Sequence, residues 1–147
     1  MVDKRWEFTG ETKINFGITL KRIRAAVEFK LKCGIIIAKG ELGGWIEKES
    51  NLSGNAWVCG NARVCGDAEV SGDAKVKSSK DYCVYKNTWS SFRWFTYTRS
   101  NKMWAVGCFY GTGAKLIAKA YKDSEKSGRC YEAIVKAQEA IEKAMEA

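Results

Sequence analysis

The chain offers few side chains of the kinds that carry out catalysis. Its 147 residues include no histidine, six cysteines, 25 lysines and arginines and 17 aspartates and glutamates. Without histidine, the commonest general base, the commonest metal ligand and the usual nucleophile triads are missing. The sequence therefore predicts no catalytic residue, no metal site and no cofactor, and it favours a protein that is not an enzyme.

The cysteines are not spaced like the ligands of a metal site. They are Cys33, Cys59, Cys65, Cys83, Cys108 and Cys130. None belongs to the C-x-x-C pair that zinc sites normally use. The opening residues MVDKRWEF lack the apolar core of a secretory signal, and the longest apolar run, residues 35–38, is far too short to span a membrane. We therefore expect reduced, unpaired thiols in a cytoplasmic protein that makes no membrane contact.

A short glycine-containing segment could hold an anion. It comprises Gly111, Thr112, Gly113 and Lys115, between a predicted strand and a predicted helix. Backbone N–H groups at the start of a helix can bind phosphate. The Walker spacing of glycines and lysine is absent, and a helix N-cap at Thr112 accounts for the same residues. Both interpretations stay open at this point.

Aromatic and basic residues alternate in a second candidate region. Residues 92–98 and 103–109 are aromatic-rich and are separated by a polar segment, which predicts a β-hairpin. One face of its first strand would carry two arginines and two aromatic residues, a composition that suits a protein interface or stacking on bases. Ordinary cross-strand packing explains the same residues. The residues predicted to contact a partner or an anionic ligand are Arg93, Phe95, Tyr97, Arg99, Lys102 and Trp57.

Positive charge is concentrated rather than spread evenly. Residues 1–40 and 77–110 are strongly basic and flank a mildly acidic middle, and the whole chain has a net charge of +8. A local positive field attracts anions. Two explanations fit this distribution of charge. The basic residues serve only to keep the protein soluble, or they form a basic face that binds nucleic acid, a nucleotide or an acidic protein.

The elements that position these residues are organised around a repeat. The segment from Ser53 to Val76 reads SGNAWV, CGNARV, CGDAEV and SGDAKV, with glycine, alanine and valine each recurring every six residues. This period fits very short strands joined by Gly-Asn or Gly-Asp corners. It fits neither a helix nor a long strand. Valine and alanine should then face inward, and Trp45 should cap the open end. The residues predicted to point outward are Trp57, Arg63, Glu69 and Lys75.

Strands and helices are predicted on either side of the repeat. Upstream, residues 14–20 and 23–29 alternate like strands, although residues 20–28 also fit a helix. Downstream of the hairpin, helices are predicted at 113–122 and 130–145, with a break at Lys126-Ser127-Gly128. This organisation divides the chain into N-terminal strands and lead-in (1–45), the repeat (46–82) and a hairpin with two helices (83–147).

The repeat resembles that of left-handed β-helix proteins, in which three hexads form one triangular coil. Residues 40–47 (GELGGWIE), 51–53 (NLS) and the hexads together are similar to a set of small, mostly uncharacterised phage and prophage proteins, and residues 19–25 and 106–112 resemble their flanking parts. The resemblance implies an α+β fold, mainly β. Its centre would be a short left-handed β-helix, flanked by N-terminal strands and a C-terminal hairpin with two helices.

The small size, the missing catalytic residues and this resemblance favour one function. It is a non-enzymatic phage or prophage protein that docks on a host protein and inhibits it, for example as an anti-CRISPR-like anti-defence factor. The alternative is an oligomer that binds nucleic acid or sequesters a signalling nucleotide. An acyltransferase is disfavoured because those β-helix enzymes use a histidine base. A homodimer or homotrimer is expected, because two stacked coils would leave their apolar ends open.

Overall fold

The computed structural model describes residues 4–31 and 34–146, so Cys33 lies outside the described residues. Within these ranges there are twelve strands and two helices. The strands are β1 (Trp6–Asn15), β2 (Ile18–Ala25), β3 (Phe29–Lys30), β4 (Ile36–Ile37), β5 (Leu42–Ile46), β6 (Trp57–Val58), β7 (Arg63–Val64), β8 (Lys75–Val76), β9 (Tyr82–Lys86), β10 (Trp94–Thr98), β11 (Met103–Val106) and β12 (Phe109–Thr112). The helices are α1 (Gly113–Asp123) and α2 (Glu125–Glu146).

The hexads form parallel pairs with the chain three hexads further on. Ile46 pairs with Val64, Leu52 with Val70 and Val58 with Val76. The four hexad valines are 0% exposed and the hexad alanines are buried. The prediction that these valines and alanines face the interior is therefore confirmed.

The prediction that a left-handed β-helix defines the fold is wrong. The fold is mixed α+β, with four small sheets and two helices among the described residues. The short hexad strands are divided between two sheets and one isolated bridge, and β5 and β7 belong to the same sheet as the antiparallel pair β1–β2, in the order β1-β2-β5-β7. A strand of two residues makes too few main-chain hydrogen bonds to be stable alone, so β6 pairs with β8 and β7 with β5, and the flanking strand β2 pairs in turn with β5.

The segments on either side of the hexads cover them. β2 pairs antiparallel with β5 through Arg22 and Trp45. From the C-terminal side, the Thr96 hydroxyl accepts a hydrogen bond from the backbone N–H of Glu69 (2.8 Å), and the Ser100 hydroxyl accepts one from that of Lys75 (2.9 Å). Of the two sources of cover that the sequence leaves open, the flanking segments and a second subunit, these intramolecular contacts come from the flanking segments. Self-association stays a prediction.

The N-terminal elements differ in detail from the predicted ones. β1 and β2 form an antiparallel hairpin whose turn lies at Phe16 and Gly17, inside the strand predicted at residues 14–20. Gly17, with φ of +78°, allows this turn.

Trp45 is buried, but it lies beneath the side chains of Lys13 and Arg22 and outside the valine cluster. The prediction that Trp45 caps the hexads is therefore wrong.

The C-terminal region is a four-stranded antiparallel sheet covered by two helices. The predicted hairpin, β10–β11, is extended by β9 on one side and β12 on the other. One face of this sheet packs against α1 and α2 through an aromatic cluster. The cluster includes Phe95, Tyr97, Trp104, Leu116, Tyr131 and Val135.

The boundary between the two helices does not lie at the predicted break. α1 begins where the sequence predicts, but α2 starts at Glu125, so the predicted break at residues 126–128 is wrong. Gly128 is buried inside α2 and faces the ring of Tyr121, where a Cβ atom would lie 2.3 Å from the ring. This glycine allows a close contact between helices and does not end one.

Candidate protein-docking surface

Three of the residues predicted to form a contact surface are buried. Phe95 and Tyr97 are 1% and 5% exposed, because the face of β10 that they share is the face covered by the helices. Trp57 is 1% exposed and packs edge to face against Phe29, with ring centroids 5.7 Å apart. The prediction of an outward row containing Phe95 and Tyr97, and of an outward Trp57, is therefore wrong.

Arg99 and Tyr97 attach helix α2 to the sheet. The Tyr97 hydroxyl donates a hydrogen bond to the Glu142 carboxylate (2.7 Å), and the Arg99 guanidinium lies 3.9 Å from the same carboxylate. Burial, together with this hydrogen bond, raises the pKa of Tyr97 above its ordinary value. The phenol therefore stays protonated as a donor. Of the six residues predicted to contact a partner, only Arg93 and Lys102 are exposed, and Lys102 lies in the β10–β11 turn.

The glycine segment before α1 has a structural role. Thr112 is the N-cap of α1, and its hydroxyl accepts a hydrogen bond from the backbone N–H of Lys115 (3.3 Å), so the predicted cap is confirmed. A Cβ atom on Gly111 would lie 2.9 Å from the Phe109 ring, and one on Gly113 would lie 2.8 Å from Val135. Packing thus explains both glycines. Anion binding at this segment stays a prediction.

The structure assembles an exposed aromatic and basic surface beside β10. Phe92 is 65% exposed and Trp94 is 45% exposed, and the exposed Arg93 lies between them in the sequence. The ammonium group of Lys86 lies 5.5 Å from the centroid of the Trp94 ring, a distance typical of a cation–π contact. We call these four residues, Lys86, Phe92, Arg93 and Trp94, the Phe92 surface.

Two open clefts adjoin the Phe92 surface. One, of about 300 Å³, is lined by Arg93, Trp94, Lys48, Asp67 and Glu69 among others. The second, of about 510 Å³, is also lined by Arg93 and Trp94, together with residues of the helices. Arg93 and Trp94 therefore line two concave regions, and concave surface next to exposed side chains favours a shape-complementary contact.

The loop that carries Phe92 is held rigidly. Asn87, 2% exposed, accepts hydrogen bonds on its side-chain oxygen from the backbone N–H groups of Trp89 (3.1 Å) and Ser90 (2.9 Å). Its amide nitrogen donates to the Tyr131 hydroxyl (3.1 Å) on α2. Phe92 itself has φ of +58°, a left-handed conformation that is rare for a bulky residue. The loop therefore presents an exposed phenylalanine in a costly backbone conformation.

No family model, curated protein or solved structure matches this chain. Across residues 4–31 and 34–146, none of the helices has both the length and the apolar character that crossing a membrane requires. The same residues contain no group of three or more cysteine or carboxylate side chains placed to hold a metal ion. The five described cysteines are free thiols.

Sequence reasoning missed Lys86, Phe92 and Trp94. Alternation along β10 correctly separated the strand into two faces, but it did not say which face the helices cover. One signal was available. Phe95 and Tyr97 are in phase with the aromatic residues Tyr85 and Trp104 on the neighbouring strands, and such a cluster needs an apolar cover. The predicted helices were the only elements left to supply it, which would have placed Trp94 on the other face.

Proposed function

We propose that this protein is a non-enzymatic binding protein that docks on a host protein through the Phe92 surface and inhibits it. The proposal includes a phage or prophage origin, action in the host cytoplasm and an anti-defence role such as that of an anti-CRISPR-like factor. The origin and role are supported only by the resemblance of the hexads and their lead-in. The docking surface is supported by one observation, the exposed Phe92 on a loop that the buried Asn87 holds in place.

The composition of the Phe92 surface supports a protein partner. Tryptophan and arginine are the residue types that most often dominate binding energy at interfaces, and phenylalanine is also enriched there. Exposed aromatic residues on a rigid loop lose little conformational entropy when they bind. Phe92 and Trp94 therefore suit a preformed contact, with Arg93 and Lys86 providing charge around them.

The alternative, nucleic-acid or nucleotide binding, has weaker support at this surface. Trp94 and Arg93 could stack on a base. However, Asp67 and Glu69 line the cleft beside Trp94, and although Lys48 pairs with Asp67 (3.4 Å), the Glu69 carboxylate repels a phosphate backbone. A protein that offers both charges and an apolar side chain fits this mixed surface better.

Affinity capture from a host lysate with matched variants tests the proposal. Phe92→Asn keeps the left-handed backbone, which asparagine tolerates, and removes the aromatic ring. Trp94→Ser removes the second ring. Ile141→Ser, at a 43% exposed position on α2, is the matched control because it makes the same apolar-to-polar change outside the surface. We expect one stoichiometric host protein to be captured, and its affinity to fall by roughly tenfold or more in each Phe92 surface variant.

Two outcomes would contradict this function. The first is a captured partner that binds the wild type and the Phe92→Asn, Trp94→Ser double variant equally well. The second is the capture of no stoichiometric protein while a nucleotide or oligonucleotide binds with a steep dependence on salt, which is the signature of phosphate contacts.

A further inference from the structure

The turn between β1 and β2 contains a residue that does not suit it. Asn15 pairs with Ile18, so the turn has two central residues, Phe16 and Gly17, with φ of +51° and +78°. Two-residue hairpin turns in which both central residues have positive φ strongly favour Asn-Gly. Phe16 is instead a bulky residue and is 95% exposed. It makes the turn less favourable and contributes almost nothing to the core, so folding does not explain it.

An apolar pocket opens beside this phenylalanine. Its volume is about 200 Å³, and its walls include Phe16, Ile18, Leu20 and Tyr82, with Arg63 at the side. Pockets that enclose a whole small molecule measure roughly 300–1,000 Å³. The pocket beside Phe16 is smaller, and a single apolar side chain of a partner suits it.

Three cations lie on the face of the sheet that carries this pocket. The ammonium group of Lys13 is 4.2 Å from the centroid of the Trp45 ring, and the guanidinium of Arg22 is 5.7 Å from it. Arg63 is the cross-strand partner of Trp45 in the parallel pair β5–β7, so its side chain is on the same face. Positive charge therefore borders the apolar pocket.

This positive charge is largely unneutralised. Arg22 has one carboxylate nearby, that of the exposed Glu11 at 3.4 Å. Among the described residues, neither Lys13 nor Arg63 has a carboxylate within 4.0 Å. The buried indole N–H of Trp45, beneath Lys13 and Arg22, also has no hydrogen-bond acceptor in the same part of the chain. The buried indole is out of reach of a partner, but the side chains of Lys13 and Arg63 offer positive charge to an anionic one.

We propose that this face is a second docking site, and that it binds an acidic segment of a protein. The site, called the Phe16 surface, comprises Phe16, the pocket beside it, Lys13, Arg22 and Arg63. An apolar side chain of the segment occupies the pocket next to Leu20, and neighbouring aspartates or glutamates pair with the cations. The site shares no residue with the Phe92 surface, so it does not depend on the function proposed above.

Charge and shape favour a peptide over nucleic acid here. A single-stranded nucleic acid needs exposed aromatic faces on which successive bases stack. Trp45 is 8% exposed and its ring is occupied by Lys13 and Arg22, which leaves Phe16 as the only freely exposed ring of the Phe16 surface. An apolar pocket with Arg63 in its wall and Lys13 and Arg22 on the same face of the sheet matches alternating carboxylate and apolar side chains instead.

Selection from a random peptide library on the immobilised protein tests this site. We expect the selected peptides to be rich in aspartate and glutamate next to leucine, isoleucine or phenylalanine. The best peptide, labelled with fluorescein, is then measured by anisotropy at low and high salt. Its affinity should fall by roughly tenfold or more in Phe16→Asn and in Arg63→Gln, and it should weaken as salt screens the cations.

Two controls keep the result interpretable. Ile14→Ser changes a 77% exposed apolar residue two positions from Phe16, and this substitution should leave peptide affinity unchanged. Phe16→Asn places the preferred residue in the turn, so its melting temperature should equal or exceed that of the wild type. A loss of binding in that variant is then a loss of contact and not of folding.

The site is refuted if the selected peptides show no enrichment of acidic residues, or if Phe16→Asn and Arg63→Gln bind the peptide as the wild type does. Binding of oligo(dT) that the same two substitutions abolish would also overturn the proposal, since it would make the ligand a nucleic acid. Phe92→Asn should still bind the peptide. That result separates failure at the Phe16 surface from failure of the proposed function.

Discussion

The chain builds the same corner twice, at the 3-10 turns Glu49–Asn51 and Ser79–Asp81. In the first, the Asn51 side-chain oxygen accepts hydrogen bonds from the backbone N–H groups three and four residues earlier, at 2.8 and 3.1 Å. In the second, one Asp81 carboxylate oxygen accepts the equivalent pair, at 3.1 and 2.7 Å. The two corners are therefore closed by the same acceptor geometry.

The corners differ in what surrounds the closing side chain. Asn51 is 0% exposed, and its amide nitrogen donates to the carbonyl oxygens of Gly66 (3.1 Å) and Ala68 (2.8 Å) in the next layer of the hexads. Asp81 is half-buried at the last corner. An aspartate can accept two N–H groups as well as an asparagine, but it cannot donate when it is ionised. The comparison shows that the need for a donor, and not the shape of the corner, decides between these two residues.

The largest effect should come from Asn51→Asp. The substitution replaces a donating amide with an oxygen that faces two carbonyl oxygens in a fully buried position. We expect the free energy of unfolding to fall by about 3–5 kcal/mol, because the variant breaks a buried polar network and introduces an uncompensated charge. Urea denaturation followed by circular dichroism measures the change.

The pH dependence of this variant provides its control. Burial without a cationic partner raises the pKa of a carboxyl group, and the protonated acid can again donate one hydrogen bond. The difference from the wild type should therefore be smaller at about pH 4 than at about pH 7. If Asn51→Asp lowers the free energy of unfolding by less than about 1 kcal/mol at neutral pH, the need for a hydrogen-bond donor does not explain why the first corner has an asparagine and the second an aspartate.

A substitution at Tyr82, the residue that follows the second corner, should have an intermediate effect on stability. The hydroxyl of Tyr82 donates to the backbone carbonyl of Arg63 (3.1 Å), whereas its counterpart Leu52 is purely apolar. Tyr82→Phe should lower the free energy of unfolding by about 1 kcal/mol at neutral pH, the typical value of one hydrogen bond. Chemical denaturation of both proteins over a range of pH measures it.

Alkaline pH should reduce that difference. Desolvation by burial, followed by the neighbouring Cys65, raises the pKa of Tyr82 from 10.0 to about 12. A group whose pKa is raised on folding stabilises the protein fully below its unfolded pKa and loses that contribution as the pH passes the folded value. The advantage of the wild type over Tyr82→Phe should therefore shrink between pH 10 and pH 12. A constant difference would contradict the shifted pKa.

The repeat was predictable from sequence because its information is local. A glycine, an alanine and a valine every six residues specify the corner and the inward side chains without reference to the rest of the chain. The fold class was not predictable in this way. Two layers of hexads are too few to satisfy their own edges, so β2 pairs with β5, and the Thr96 and Ser100 hydroxyls of the C-terminal region accept hydrogen bonds from the hexad backbone.

The candidate docking surfaces were predicted only in part. The alternation predicts one outward row containing Arg93, Phe95 and Tyr97, of which only Arg93, just before β10, is exposed, because strand periodicity separates two faces without saying which one is covered. The alternation of residues 14–20 predicts a strand through Phe16, whereas the chain turns there without the Asn-Gly pair that would signal the turn. For β10 the missing information was the contact with helices distant in the sequence, whereas for Phe16 it was a local turn built without its usual residues.

The smallest effect should come from Asp81→Asn, the reverse of the first substitution. The asparagine oxygen can accept from Lys77 and Ser78 as the carboxylate does, and its added donor meets solvent because the side chain is only half-buried. A hydrogen bond to a charged acceptor is stronger than one to a neutral acceptor, so we expect a loss of about 0.5–1 kcal/mol. When both variants are denatured side by side, Asn51→Asp should lower the free energy of unfolding several times more than Asp81→Asn does. Equal losses at the two corners would mean that the interior corner has no special need for a donor, and that the Asn51 contacts to Gly66 and Ala68 contribute little to stability.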